Sequence, residues 1–519
     1  MELRKQQIQG RYTGKPVTDQ FMIDDDYNVP DSKPDMKRIV VAEGELKTEE
    51  MKRVENYLKI SGKLCFQVLY IADEAEERMS SLEGTLPFEE MVYIEGNEEG
   101  HFQMKESRMD FSAVMVHSRK LSIKAVVELE ILPSQTKDEE ITVDVDVDVP
   151  LCRKKGNMEI LTMTTNKRDT YRIKEEMQVP GTKENIGTLL WTDVKNRRLD
   201  TRLEQDMLAM SGELSVFIFY ESVEGKLDWV EKNVPYEGKV ECFGADEEMF
   251  HHVEAKLDDI STDIRMDEDG EPRVIGIEAT LKMKIAIYKE EKIEYLEDAY
   301  SLDKKCTIVR EPKQFESMVM QNHSKYKIDE QIMAPELKDS ILQICHSSAG
   351  IQIEKTSRTD EGILIEGVLH LSVLYVKQSD QVPFDIWQGM VPFVHVIECN
   401  EMSGEMEYDV CALMEQLSVS LLGSDELELK AVLAFHCLVK KPIRADAITG
   451  IGLEPYTKEE LERRPGIVGY VVKDGDTVWE LAKRYLTTEE SVRQVNELGE
   501  KEPKEGDKLL IFRERVGIL

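Results

Sequence analysis

A threefold internal repeat sets the terms on which this chain can fold. Pro30, Pro180 and Pro335 anchor it, within VPDSKPDMKRIV, VPGTKENIGTLL and APELKDSILQIC. Nine residues before each proline stands an aromatic, Phe21, Tyr171 or Tyr326, followed two residues on by Ile23, Ile173 or Ile328. Thirty-two residues after each proline comes Gly62, Gly212 or Gly367, and eight residues later Tyr70, Tyr220 or Tyr375. Spacing kept this closely means three copies of one unit. The prolines are 150 and 155 residues apart, which is domain length, so the reading is three tandem domains with separate cores and not a solenoid.

Within each copy the pattern is that of strands. GKLCFQVLY, GELSVFIFY and GVLHLSVLY alternate with period two, so that Leu64, Phe66, Val68 and Tyr70 line one face, as do their counterparts from Leu214 to Tyr220 and from Leu369 to Tyr375. Each glycine is expected to open its strand, at a place where another backbone or side chain comes close. A proline-aromatic pair, Pro87-Phe88, Pro235-Tyr236 or Pro392-Phe393, is expected to start the next strand. A late strand follows, aligned on Ala125, Ala279 and Ala431, and Asp269-Gly270 signals a hairpin. A short helix is expected after each anchoring proline. The fold class is therefore mainly β: three antiparallel sandwich-like or barrel-like domains at 15–148, 165–302 and 318–450. Segments 149–164 and 303–317 read as connections, and 453–465 as a charged tether.

The last stretch, 466–513, has a different grammar. Tyr470-Val471-Val472 is β-prone, and Gly475 supplies the turn that follows. Thr477 and Glu480 have capping-box spacing, and Val478, Leu481, Ala482 and Tyr485 form one apolar helical stripe. Thr488 caps a second helix, with Val492 and Val495 on its buried side, and Leu509 to Phe512 close a βααβ unit. Tyr470-x-Val472-x-x-Gly475-Asp476-Thr477-x-Trp479-x-x-Ala482, Asn496 and Gly506-Asp507-Lys508-Leu509-x-Ile511 make this unit resemble the LysM domain. Phe512 departs from the pattern, which usually has proline there. The resemblance implies a shallow groove between the first loop and the loop before the last strand, binding N-acetylglucosamine-containing glycans or, in some members, proteins. The candidate contact residues are Ile467, Gly475, Asp476, Thr477, Trp479 and Asn496. Trp479 lies off the centre of the apolar stripe and is expected to be partly exposed, as an interface anchor.

Three β domains followed by LysM resemble the SipL/SpoVID group of spore-coat encasement proteins, and the repeat looks like their SPOCS domain with its VP-x-x-KPD entry. Copies two and three lack the Lys33-Pro34-Asp35 tripeptide, having Lys183-Glu184-Asn185 and Leu337-Lys338-Asp339. The resemblance implies a non-enzymatic scaffold in the mother-cell cytoplasm. Its LysM domain would dock on the SpoIVA-type ATPase of the coat basement layer at the forespore surface, and its β domains would engage other coat proteins. A peptidoglycan-binding envelope protein is the alternative.

The residues themselves exclude several classes of function. There is no phosphate loop, no H-E-x-x-H and no G-x-S-x-G elbow, so neither enzyme nor cofactor is expected. The formal net charge of −36 disfavours nucleic acid and anionic membranes. The sequence has no run of eighteen apolar residues and no apolar leader at its start, so membrane insertion and export are not expected. The eight cysteines are scattered without a C-x-x-C pair, the pattern of reduced thiols, and no metal is expected. Asp144, Asp146 and Asp148 alternate with valines as a solvated strand face does, and lack the glycine of a calcium loop.

Overall fold

A computed structural model describes residues 2–73, 78–94, 101–338, 340–377, 383–401 and 404–514. Each repeat is a pair of antiparallel sheets packed face to face. In the first, Tyr57–Ala72 runs between Met36–Val54 and Met79–Tyr93, and Lys120–Asp146 runs between His101–His117 and Val17–Asn28. Leu64, Phe66, Val68 and Tyr70 meet Leu121, Ile123, Ala125 and Val127 in the core between them. The anchors of the repeat are cross-strand partners: Ile23 lies opposite Ala125, Ile173 opposite Ala279 and Ile328 opposite Ala431.

Gly62, Gly212 and Gly367 sit inside their strands rather than opening them, opposite Phe88, Tyr236 and Phe393. The aromatic ring covers the glycine in every copy. A Cβ at Gly62 would come to 2.1 Å of Lys47 O and 2.9 Å of Phe88, and one at Gly367 to 2.5 Å of Gln352 O and 2.6 Å of Phe393. The proline-aromatic pair likewise falls in mid-strand. Its strand is the sheet edge, where the missing N–H faces away from the ladder.

The anchoring prolines lead into turns, and only Pro335 starts a helical turn, the 3-10 helix Pro335–Leu337. Arg119 holds the first entry by donating to Val29 O, Pro30 O and Lys33 O and pairing with Asp35. Arg273, at the equivalent place, donates to Pro180 O. In the third copy the equivalent residue is Asp425, whose side chain can only accept, so the guanidinium is lost while the backbone bond common to all three copies, here Ala334 N–H to Asp425 O, remains. The K-P-D variation thus accompanies a change of clamp. Asp339 lies outside the described residues.

The expected connections 149–164 and 303–317 are largely strand. Cys152–Gln178 pairs along Pro272–Tyr300, and Lys304–Met333 along Glu426–Pro455, so each sandwich extends into a two-stranded ribbon. In the first repeat the same ribbon is made by Glu2–Thr13 against Ser134–Asp146. The three ribbons converge. Ile8 and Ile141, Ile160 and Ile293, and Phe315 and Ala447 form one buried cluster, with Val145, Leu296, Ala299, Ile448 and Ile451 in a second.

Each sandwich keeps a buried core of its own, and these further clusters join the three repeats. The outer faces of the three Gly-to-Tyr strands also meet, bringing Leu69 and Ile71, Phe217 and Phe219, and Leu374 and Phe384 together with Val41 and Trp191. Where the ribbons leave the sandwiches, nine residues after the aligned alanines, Ser134, Tyr288 and Lys440 are all buried. Lys440 pairs with Glu316 at 2.9 Å and lies over the Tyr288 ring.

Charged groups join the repeats too. Lys47 reaches Asp258 at 2.7 Å, Arg38 reaches Asp385 at 3.2 Å, and the buried His346 bonds Asp193 at 3.0 Å and Glu231 at 3.3 Å. Burial works against charge on His346, but these two carboxylates outweigh it and push its pKa up to about 9. A different seam joins the second and third repeats. There His251 accepts or donates with Thr201 at 3.0 Å, His252 meets Cys411 at 3.3 Å, and the His323 and His436 rings lie 4.2 Å apart. Burial first, and then His323, push His251 and His436 down to about 4. Among the described residues no group of His, Cys, Asp or Glu is arranged to hold a metal, and no helix is long and apolar enough to cross a membrane.

Candidate functional site

The C-terminal module is a two-stranded sheet, Ile467–Val471 paired with Lys508–Phe512, under two helices, α2 (Val478–Tyr485) and α3 (Glu489–Val495). The preceding α1 (Lys458–Glu462) replaces part of the expected tether with a capped helical turn that buries no side chain. Val472, Val478, Leu481, Ala482, Val492, Leu509 and Ile511 form the core of the module. Val495 is exposed instead, because α3 ends there and turns it past the edge of the sheet.

Several candidate residues hold the module's own loops. Gly475 takes φ +81, a conformation open to glycine without a Cβ clash. Asp476 accepts from Tyr470 Oη at 2.7 Å and from the Lys473 N–H at 2.9 Å. These bonds, with Arg484 nearby, hold its carboxyl below the usual range. Thr477 caps α2 by accepting the Glu480 N–H, and the Val478 N–H goes to Glu502. Asn496 acts as a short piece of strand, accepting the Leu510 N–H and donating to Leu510 O. The two loops that would flank a groove lie side by side, joined by Val472 N–H to Asp507 O and Gly506 N–H to Val472 O.

Ile467 and Trp479 part company. Ile467 is 61% exposed and shares the outer face of the hairpin with Val471, Leu510 and Phe512, all exposed. Trp479 is only 6% exposed, contrary to the expectation from the helical stripe. What covers it lies outside the module. Its Nε1 donates to Asp298 Oδ2 at 2.8 Å, and its ring stands edge-on to Tyr300 at 4.8 Å. Asp298 and Tyr300 belong to the ribbon of the second repeat. Lys483 also reaches Asp298, at 2.7 Å, and Tyr300 Oη donates to Thr487 O at 2.7 Å. Burial opposes the charge of Asp298, but Lys483 and Trp479 donate to it and leave its pKa lowered.

This arrangement of three paired-sheet repeats with a βααβ module is matched by two family models. The SipL, SPOCS domain matches residues 35–116, 185–265 and 340–422, and the LysM domain matches residues 470–512. The chain has a SipL-type architecture. Each SPOCS match covers the Gly-to-Tyr strand, its two sheet neighbours and a strand of the second sheet, leaving out the ribbons. The match to SPOCS and LysM places the chain among sporulation coat-related proteins carrying a peptidoglycan-binding type of domain, and both kinds of module are binding or scaffold units. No curated protein and no solved structure matches the chain.

Proposed function

We propose that this protein is a non-enzymatic scaffold of spore-coat encasement, working in the mother-cell cytoplasm at the forespore surface. The LysM domain docks it on the basement-layer ATPase of SpoIVA type, and the SPOCS body engages other coat proteins. The observation that carries this reading is the exposed apolar face of Ile467, Val471, Leu510 and Phe512, on a module whose polar signature residues are taken up by its own loops. A largely apolar surface, on which Lys508 opposite Val471 is the one polar side chain of the paired strands, suits a protein partner better than a sugar. The three fused repeats add further contacts on one rigid frame, so that weak individual contacts sum at an assembling surface.

A fluorescent fusion tests the docking. It should encircle the forespore in sporulating cells and disperse in cells lacking the basement ATPase, and encirclement without the ATPase refutes the reading. Ile467→Glu should leave the fold intact by circular dichroism and weaken co-purification with the ATPase by about 2 kcal/mol or more, the size of a hot spot. The second reading is glycan binding, which the adjacent loops around Gly475 and Gly506 favour. Retention of the full chain on insoluble peptidoglycan, undiminished by Ile467→Glu, would establish it instead.

A further inference from the structure

Asp298-Ala299-Tyr300 occupies the face of α2 as a bound peptide would. The segment is the end of an extended strand, and it offers two side chains at i and i+2, which lie on the same side. The carboxylate takes the indole N–H of Trp479 and the ammonium of Lys483. The tyrosine gives its ring to Trp479 and its hydroxyl to the carbonyl of Thr487, just past the end of α2, where a helix leaves carbonyls without partners. An indole N–H can only donate, and beside an ammonium it selects an anionic acceptor. The face therefore has a readable specificity: an acidic residue, any residue, then a tyrosine, in extended conformation.

We propose that this face of the LysM domain is a recognition site for an acidic-x-tyrosine segment of a partner protein, held shut in the free chain by Asp298 and Tyr300. It is separate from the outer face of the hairpin and stands whether or not that face binds the basement ATPase.

Three features make the contact releasable. Asp298 also accepts from Arg310 at 2.8 Å, so departure of the module leaves the carboxylate paired and not orphaned. That removes the largest penalty for breaking a partly buried ion pair. The connection from Pro455 to Gly466 contains only α1, whose residues are unburied, and ten residues fully extended reach roughly 33 Å. And Trp479, which shares one buried cluster with Val478, Leu481, Ala482, Val492, Leu509 and Ile511, keeps those neighbours when Tyr300 departs, so release uncovers one side of the indole and does not empty the core of the module. Tethering raises the effective concentration of the internal segment to about the millimolar range, so a partner wins only when it is locally concentrated, as on an assembling coat.

The test uses the full chain and a fluorescent peptide with the sequence of residues 295–302, YLEDAYSL. By anisotropy the wild-type chain should bind it weakly, and Asp298→Asn should bind it at least tenfold more tightly, because the internal competitor is weakened. Trp479→Phe should lose the gain when added to Asp298→Asn, and a peptide with asparagine for its aspartate should bind neither chain. Equal binding to wild type and Asp298→Asn, or none to either, overturns the proposal. Should Asp298→Asn fail to fold, a carbodiimide cross-link on the wild-type chain decides, since the Lys483 ammonium lies 2.7 Å from the Asp298 carboxylate. The Lys483–Asp298 cross-link, read by mass spectrometry, should form in the free chain and fall at saturating peptide, and an unchanged yield refutes release. Loss of ATPase docking with normal peptide binding would fault the docking reading alone.

Discussion

Phe219→Ala probes whether the three repeats are one cooperative body. Phe219 is fully buried and lies edge-on to Phe384 of the third repeat, at 4.9 Å between ring centroids. Leu69 of the first repeat and Leu374 of the third share its cluster. Its side chain belongs to none of the three sandwich cores. Truncating a buried phenylalanine costs about 3–5 kcal/mol, from lost transfer energy and the cavity left behind. How that cost appears depends on what melts together. At about 2.1 cal/mol/K per residue of unfolding entropy, a body of about 450 residues melting as one would drop by about 3–5 °C, whereas one repeat of about 140 residues melting alone would drop by about 10–17 °C. Differential scanning calorimetry on wild type and variant reads the difference directly. A single transition moving by a few degrees is expected. A large shift of one transition, with others left where they were, would refute the shared core and restore three independent domains.

Gly62→Ala should destabilise the body by about 1–3 kcal/mol in urea titration, because the obstacle at 2.1 Å is the Lys47 carbonyl, which a paired strand cannot move aside. The histidine seam gives a pH signature. His251 and His436 sit near 4 in the folded chain against about 6.5 unfolded. The unfolded chain binds more protons between those values, so their contribution is present above about 6.5 and lost as pH falls through 4. Asp200 is the carboxylate that acts on His436, and His436→Gln should flatten the acid limb of a plot of melting temperature against pH. His346 has the opposite sign. Raised to about 9 by Asp193 and Glu231, it stabilises fully below about 6.5 and loses that contribution as pH climbs through 9, so His346→Gln should be most harmful at neutral or acid pH and least above 9.

The sandwich cores were legible because one face of each Gly-to-Tyr strand alternates without exception. The junction between repeats was less so, since a period-two reading assigns a single face to a core and treats the other as free to vary. Yet Leu69, Phe219 and Leu374 are apolar on that other face, and the runs around them, QVLYIA, FIFY and SVLYV, carry the continuous hydrophobicity of strands covered on both sides. The ribbons escaped notice for a related reason. Met158, Ile160 and Met163, or Ile308 and Phe315, bury side chains against other repeats, so a search confined to one repeat finds no partner for them. Trp479 shows the limit of helical periodicity most plainly. The stripe correctly placed it off the centre of the module's own core, but a second surface 181 residues upstream, at Asp298, covers it.

The ribbons also fix the order in which the molecule can be completed. Glu2 pairs with Asp146, Cys152 with Tyr300 and Lys304 with Pro455, so the first strand of every repeat must wait for the last one to be synthesised. Contacts of such sequence separation form late and slowly. Until Leu374 and Phe384 have emerged, the faces bearing Leu69 and Phe219 lack their third side. The LysM domain comes only after that, and its landing place at Asp298 is set among ribbons that have already converged. A seated Trp479 therefore marks a chain whose second-repeat ribbon is complete, and a chain interrupted in the third repeat would carry bare apolar faces and no LysM domain to seat.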